Sequence, residues 1–350
     1  MHALIEVLAA GQAVTLQDRG RFGYRHIGVP VSGALDPYLM SAANALLAND
    51  ANAAVLEVCL GGPTLLALSG PVRIALAGEL SGKLLKAQGG TRQLQPWQTA
   101  TLFPGDIAHL GNVAHGIAYV GIAGGFQVAP QLGSRSTCLS ASLGGVDGRA
   151  LMRGDRLPCA RLHGDPSLES AATLPWPQDS GPIRVLPGPQ DDHFTAQARQ
   201  SFFAQPYRVT PDLDRMGIRL DGASLTHAER RAEIVSDGVA PGAVQVPANG
   251  QPIVLMADCQ TTGGYAKIAT VIRADLARLA HVRPGDELRF VAVDHAQAAA
   301  ALLQRKMRVG RWYASLASFR PPGTVDALAL QTGNLISGAI RGDEAGGWTN

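Results

Sequence analysis

Apolar residues gather along the chain in short runs that end at glycine, proline, asparagine or aspartate. Ile5–Leu8, Val55–Val58, Thr64–Leu68, Val72–Ala77 and Gly116–Ala123 have this form in the first half. Ile183–Leu186, Tyr207–Thr210, Ala243–Val246, Ile253–Ala257 and Glu287–Val293 have it in the second. Their length and β-branched content predict strands. Helical spacing is rarer. Asp36-Pro37 reads as an N-cap followed by proline at the first helical position, with Met40, Ala43 and Leu47 on one face and a stop near Asn49. A second helix is expected from Asp191 toward Phe203. A third is expected from Asp294, its basic end at Arg305, Lys306 and Arg308 complementing the negative helix terminus before Gly310. The fold class is mainly β with a few short helices.

The two halves share a pattern. Arg21-Phe22-Gly23-Tyr24-Arg25 is echoed by Arg215-Met216-Gly217-Ile218-Arg219, and a glutamate in an apolar run follows each, Glu57 and Glu233. "IALAG" from Ile74 then matches "IVLMA" from Ile253, and Pro104-Gly105-Asp106 matches Pro284-Gly285-Asp286. Four features in one order predict two related β domains. The expected division is 1–160 with a helical insertion near 37–48, a Pro- and Ser-rich linker at 161–182, a second β domain at 183–293, and a C-terminal helix and tail at 294–350.

Composition narrows the function classes. With 46% hydrophobic residues, 17% charged residues and a formal charge of +2, the 350-residue chain has material for two cores and no bias toward nucleic acid or acidic membrane. Cys59, Cys138, Cys159 and Cys259 form no CxxC pair and read as incidental thiols of a reducing compartment. The N-terminus lacks the basic and apolar regions of a signal peptide, and no apolar run reaches the ~20 residues of a membrane span, so a cytoplasmic location is expected.

Familiar catalytic motifs do not fit. Gly78-Glu79-Leu80-Ser81-Gly82-Lys83 has one residue too few between its glycines for a phosphate loop and Leu84 where magnesium needs a hydroxyl. His109 and His115 are badly spaced for a shared metal, and no metal ligand is assigned. Lys306-Met307 falls in a helix rather than at the hairpin tip a biotinyl lysine needs. The chain is therefore read as carrying neither a nucleotide site nor a biotin of its own. Polar residues concentrate instead in glycine-rich segments, above all "ADCQTTGGYAKIATVI" from Ala257, where Gln260–Lys267 interrupt two buried-looking runs. A hydrophilic turn placed between core strands is costly unless its groups meet partners. The candidate site is therefore a polar hollow between the domains with this turn on its wall.

The ordered segments "VTLQDRGRFGYRHIGVPVSGALD", "LEVCLGGPTL", "LGSRST", "GGVDGR", "GPQDDHF", "DRMGIRL", "QVPANGQPIVLMADCQTTGGYAKIATVI" and "RPGDELRF" resemble the biotin-dependent carboxyltransferase family. That family includes the C-type components of 5-oxoprolinases and the allophanate hydrolase subunit 2 and urea carboxylase carboxyltransferase regions, and the likeness spans roughly residues 5–295. One departure is Gly78-Glu79-Leu80, where relatives often read Gly-Ala-Asp. The resemblance implies tandem cyclophilin-like β-barrels. It also implies a component of an ATP-dependent 5-oxoprolinase complex, inactive alone, that opens 5-oxoproline to glutamate. Its partners would be a sister barrel protein of the B type and a lactam-utilisation-type protein of the A type, with ATP handled by a partner. Two alternatives stay open: a carboxyltransferase half acting on urea or another amide with carboxybiotin from a separate carrier, and a non-catalytic regulator that binds a sister barrel in the manner of a kinase-inhibitor antagonist. Within the first reading, Arg215 or Arg219 would bind a carboxylate and Asp258 would act as general base. Tyr265 with Gln260, Thr261, Thr262, Gly263, Gly264 and Lys267 would orient a lactam or amide, and Gln190, Asp192 and Gln245 would assist.

Overall fold

The computed structural model describes residues 3–228 and 232–321. The first half is built from two antiparallel sheets around one core. One has six strands in the order Arg156–Cys159, Ala3–Ala9, Thr64–Ser69, Ile107–Leu110, Gly82–Leu85 and Thr91–Leu94. The other has five: Thr15–Gln17, Val55–Val58, Ala118–Ile122, Val72–Ala77 and Thr99–Leu102. Alternation sets the inward faces. In Ala3–Ala9, residues Ala3, Ile5 and Val7 are buried while their neighbours are half-buried, and they meet Leu56, Ile74 and Val120 of the five-stranded sheet in a single cluster.

The second half forms one larger sheet of eight strands. Its order is Glu287–Leu288, Tyr207–Leu213, Gly217–Asp221, Ile253–Leu255, Ala243–Gln245, Lys267–Val271, Ile183–Pro187 and Phe290–Ala292. Its two edge strands are separated only by Arg289, so the segment expected as one strand, 287–293, instead bridges both edges and nearly closes the sheet into a ring. Phe194, Phe202, Tyr207, Val244 and Ile268 fill its interior. Only this half is a single near-closed sheet; the first half is the two-sheet arrangement above, which differs from a strict pair of like barrels.

The Pro-Gly-Asp echo is structural. In each copy the aspartate carboxylate accepts the N–H three residues back, Phe103 at 2.9 Å and Arg283 at 2.8 Å. In each, the turn glycine (φ +90° and +97°) donates to a strand carbonyl, Ala67 or Val209, both at 2.8 Å. The glutamate echo fails. Glu57 is buried on the second strand of the five-stranded sheet, whereas Glu233 lies exposed on a separate two-stranded ribbon, Glu233–Gly238 with Thr262–Tyr265. That ribbon takes the place of the simple loop expected around Gln260–Lys267.

The helix after Asp36 spans Pro37–Leu46, the Asp36 carboxylate accepting from Tyr38 and Leu39 N–H, and packs its Leu39–Leu46 face on the five-stranded sheet. After Asp191 a short turn precedes the Ala196–Ala204 helix capped by Thr195. The C-terminal helix spans His295–Ala314, opened by an Asp294/Gln297 capping box, and continues through Gly310 where the sequence predicts a stop. It continues because Trp312 lands in a cluster with Trp97 and Trp176, ring centroids 5.0–5.5 Å apart. Residues 161–182, expected as a linker, are anchored. Glu169–Ala172 pairs with Leu316–Phe319, Glu169 takes a bidentate ion pair from Arg92 (2.6 and 2.7 Å), and Trp176 stacks on Trp97. No described helix is long and apolar enough to cross a membrane. The tail beyond Pro321 lies outside the described residues.

Candidate active site

A turn delivers Arg215 to the seam between the halves. Asp214 Oδ1 accepts from Met216 and Gly217 N–H at 2.7 and 3.1 Å, fixing the entry into the Gly217–Asp221 strand. Arg215 then reaches both ways. Its Nη1 donates to Glu57 Oε1 of the first half at 2.5 Å, while Nε and Nη2 donate to Asp258 at 2.9 and 3.0 Å and Nη2 to Gly33 O at 2.6 Å. Glu57 also accepts from the Tyr119 hydroxyl (2.6 Å) and Leu35 N–H (2.9 Å), and Asp258 from Ser32 Oγ (2.6 Å). Ser32 holds a left-handed backbone (φ +57°), locked by its N–H donating to Ala257 O across the seam. Burial pulls the Arg215 guanidinium down, but Glu57 and Asp258 together push it far above its ordinary value, so it remains a cation. Burial, reinforced by Glu57, raises the Tyr119 phenol well above its usual range.

Beside this cluster lies a cavity of about 850 Å³, with Glu57, Arg215 and Asp258 in one wall and an otherwise mostly apolar lining that includes Leu35, Met216 and Met256. Cys59 also borders it, its thiol pushed up to about 12 by burial, then by Glu57.

A second polar group lies under the ribbon. Lys267 is buried, yet its Nζ pairs at 3.2 Å with Asp237, a half-exposed residue of the ribbon. Gln190 accepts from Lys267 N–H (3.2 Å) through Oε1 and reaches the same Asp237 oxygen (3.4 Å) through Nε2. Gln245 is buried with Nε2 unpaired among the described residues.

The residues expected to form one hollow thus fall into two sets. Arg215 and Asp258 meet in the seam cavity. Gln190, Gln245, Gly263 and Lys267 meet beneath the ribbon, where Gly263 packs so close to Gln245 that a Cβ would stand 2.6 Å from Nε2. Arg219 points outward on its strand between buried Ile218 and Leu220, away from both sets. Tyr265 is 40% exposed at the ribbon end, opposite Glu233, and Gly264 packs lightly beside it. Gln260 is exposed, Thr261 O accepts from Val239 N–H at 3.1 Å, and Thr262 pairs with Gly238. Asp192 belongs to the Asp191–His193 turn. Asp258 Oδ1 takes two donors, Ser32 Oγ and Arg215 Nη2, and Oδ2 takes one, Arg215 Nε, which leaves one acceptor position on Oδ2. The sequence marks Glu57 only as an echoed glutamate in an apolar run, and Ser32, Tyr119 and Asp237 are not among the expected site residues. The "PVSGALD" segment is a signal for Ser32, but nothing in the pattern marks Asp237.

The molecule is thus a mainly β protein in two parts that share a guanidinium–dicarboxylate seam beside a half-open cavity. The chain belongs to the carboxyltransferase domain family, subdomains A and B, whose model matches residues 27–292. It is similar to the C subunit of Escherichia coli K12 5-oxoprolinase, 38% identical over 291 residues that cover 82% of this chain and 91% of that one. It is 36% identical over 307 residues to the corresponding C subunit of Haemophilus influenzae 5-oxoprolinase, covering 87% of this chain and 96% of the relative. Among solved structures it resembles the urea amidolyase of K. lactis, with a TM-score of 0.78 at 29% identity; the match covers 88% of this chain but only 20% of that much longer one.

Proposed function

We propose that this chain is the C-type component of an ATP-dependent 5-oxoprolinase, opening 5-oxoproline to glutamate together with a sister barrel protein and a lactam-utilisation-type protein. The carrying observation is the 38% identity to the C subunit of a 5-oxoprolinase along 91% of that relative's length. In this reading the two halves are cyclophilin-like units, 1–160 and 183–293, joined by 161–182, and the complex is cytoplasmic. ATP, used through a partner, would supply the drive for opening an unreactive lactam. This chain's part is binding and charge placement. The Lys267 ammonium and the Gln190 and Gln245 amides are donors suited to a carboxylate and a lactam carbonyl. Glu57 and Asp258 hold Arg215 at the seam, and Tyr265 with Gln260–Gly264 forms the outer wall.

The test is ATP-dependent release of glutamate from 5-oxoproline by the three proteins mixed, with none from this chain alone. Absence of turnover in the complete mixture rejects the reading. One observation favours a second reading, carboxyl transfer from carboxybiotin to an amide: the fold match to the K. lactis urea amidolyase. Gln245 Nε2, unpaired among the described residues, fits a ureido carbonyl as well as a lactam one, so biotin from a separate carrier protein is compatible with these residues. Biotin bound there would carry the carboxyl group, with Gln245 orienting its ring. Capture of a biotinylated protein with this chain would favour that reading.

A further inference from the structure

We propose that the Glu233–Gly238/Thr262–Tyr265 ribbon is a latch over a carboxylate-binding pocket, with Asp237 filling that pocket as an internal carboxylate until a ligand displaces it. The inference rests on the reading that Lys267, Gln190 and Gln245 face substrate, and adds how access to them is controlled.

A buried ammonium ordinarily takes a fixed, equally buried partner, because both charges lose water on folding. Lys267 does not. Its side chain is 4% exposed while that of Asp237 is 55% exposed. Asp237 reaches it from a strand that otherwise faces solvent, Val235 being 92% exposed. One oxygen of Asp237 receives both Lys267 Nζ (3.2 Å) and Gln190 Nε2 (3.4 Å), the arrangement a bound carboxylate would have. The third donor, Gln245 Nε2, has no acceptor among the described residues, and the ribbon's Gly263 lies against it.

The ribbon is a two-stranded element of its own. Its strands pair with each other, Asp237 with Gly263 and Gly238 with Thr262, and among the described residues form no ladder with the eight-stranded sheet. Its base is fixed. Val239 is buried, its N–H donates to Thr261 O at 3.1 Å, and its carbonyl accepts from Arg25. The other end is held as well, Ala266 N–H donating to Ala232 O at 3.1 Å and Ala266 O accepting from Val246 N–H at 3.0 Å, so opening is an outward bow of the stretch between these anchors with a swing of the Asp237 side chain, freeing two donors for a carboxylate and a third for an adjacent carbonyl. The ligand class is a small carboxylate bearing an amide or lactam carbonyl next to it.

The test is pulse acylation of the full chain with acetic anhydride, reading Lys267 by peptide mass spectrometry with the exposed Lys83 and Lys86 as internal standards. Asp237→Asn, nearly isosteric, should raise the Lys267 rate roughly two- to fivefold, the shift in an opening equilibrium governed by one half-exposed ion pair. Gly263→Ala should raise it by a different route, pushing the ribbon off Gln245. Acetate should protect Lys267 in the Asp237→Asn chain, and 5-oxoproline should protect at lower concentration. Unchanged Lys267 rates in both variants would overturn the latch and leave the lactam reading to its own turnover assay. Protection by acetate with no advantage for 5-oxoproline would support the latch and count against the lactam.

Discussion

Arg215 stands between carboxylates from different halves of the chain, Glu57 and Asp258, and the three are mutually dependent because none is well solvated. Arg215→Met should therefore cost about 3–5 kcal/mol in urea unfolding, because it leaves two buried anions without a cation. Adding Glu57→Gln and Asp258→Asn to that variant should recover a large part of the loss; a purely additive further loss would show that charge is not what binds the seam. His227 offers a pH readout. Its ring packs on Phe194 (4.8 Å) and its Nε2 lies 3.2 Å from Val246 O. Burial lowers its pKa from the usual 6.5 despite that carbonyl, and neighbouring His193 adds to the lowering. The folded state thus resists protonation more than the unfolded chain does, so stability should be unaffected above pH 6.5 and fall as the solution is acidified below it. His227→Phe should flatten the decline in thermal midpoint below neutral pH. At the thiols the sign reverses. Cys59 and Cys159, both held at about 12 by burial, should stay unlabelled by iodoacetamide at pH 8 in the native state and react once urea unfolds the chain.

Among the elements, those with local chemical signals were the legible ones. Asp294 marks the start of the last helix, where the structure shows a capping box with Gln297, and Asp294→Ala should cost about 1 kcal/mol in chemical unfolding through loss of that cap. The paired Pro-Gly-Asp turns were readable because one carboxylate and one left-handed glycine determine the whole hydrogen-bond set. Val55–Val58 and Val72–Ala77 were fixed by their apolar runs and flanking turns. The ribbon was not readable. Thr262–Tyr265 contains two glycines and no apolar alternation, and its partner Glu233–Gly238 is nearly all exposed, so its pairing is decided by a neighbour that hydropathy does not reveal. The site was legible to the same degree. Lys267 ends the polar interruption of the 257–272 stretch, and Gln190 and Gln245 enter through the family resemblance; the structure places the three side by side. Arg219 carried the same signal as Arg215 but is placed four residues on, where strand alternation sends it outward. Asp237 was hidden because a lone aspartate in a polar stretch looks like any surface residue.

Across the whole molecule, the links between the halves include the Arg215 seam, Ser32 N–H on Ala257 O, Arg25 on Val239 O, His281 against Asp36 at 3.1 Å, and the strap of residues 161–182. His281 Nδ1 accepts from Ile117 N–H at 3.4 Å while Nε2 faces Asp36, so one ring spans both halves in a fixed orientation. The strap's anchor is Trp176, held between Trp97 and Trp312. Trp176→Ala should loosen both strap and C-terminal helix, seen as faster limited proteolysis around residues 173–182 with the eight-stranded sheet still protected.

The bridging of both sheet edges by residues 287–292 bears on how the chain is made. Ile183 pairs with Phe290, and Tyr207 with Leu288, so strands that leave the ribosome early must wait until the last partner has emerged. The first sheets can assemble once Cys159 is out, because Ala3 then has its neighbour. A nascent polypeptide halted between residues 160 and 286 would therefore display one finished half beside an unsealed one with bare edges, the period when a chaperone is needed most.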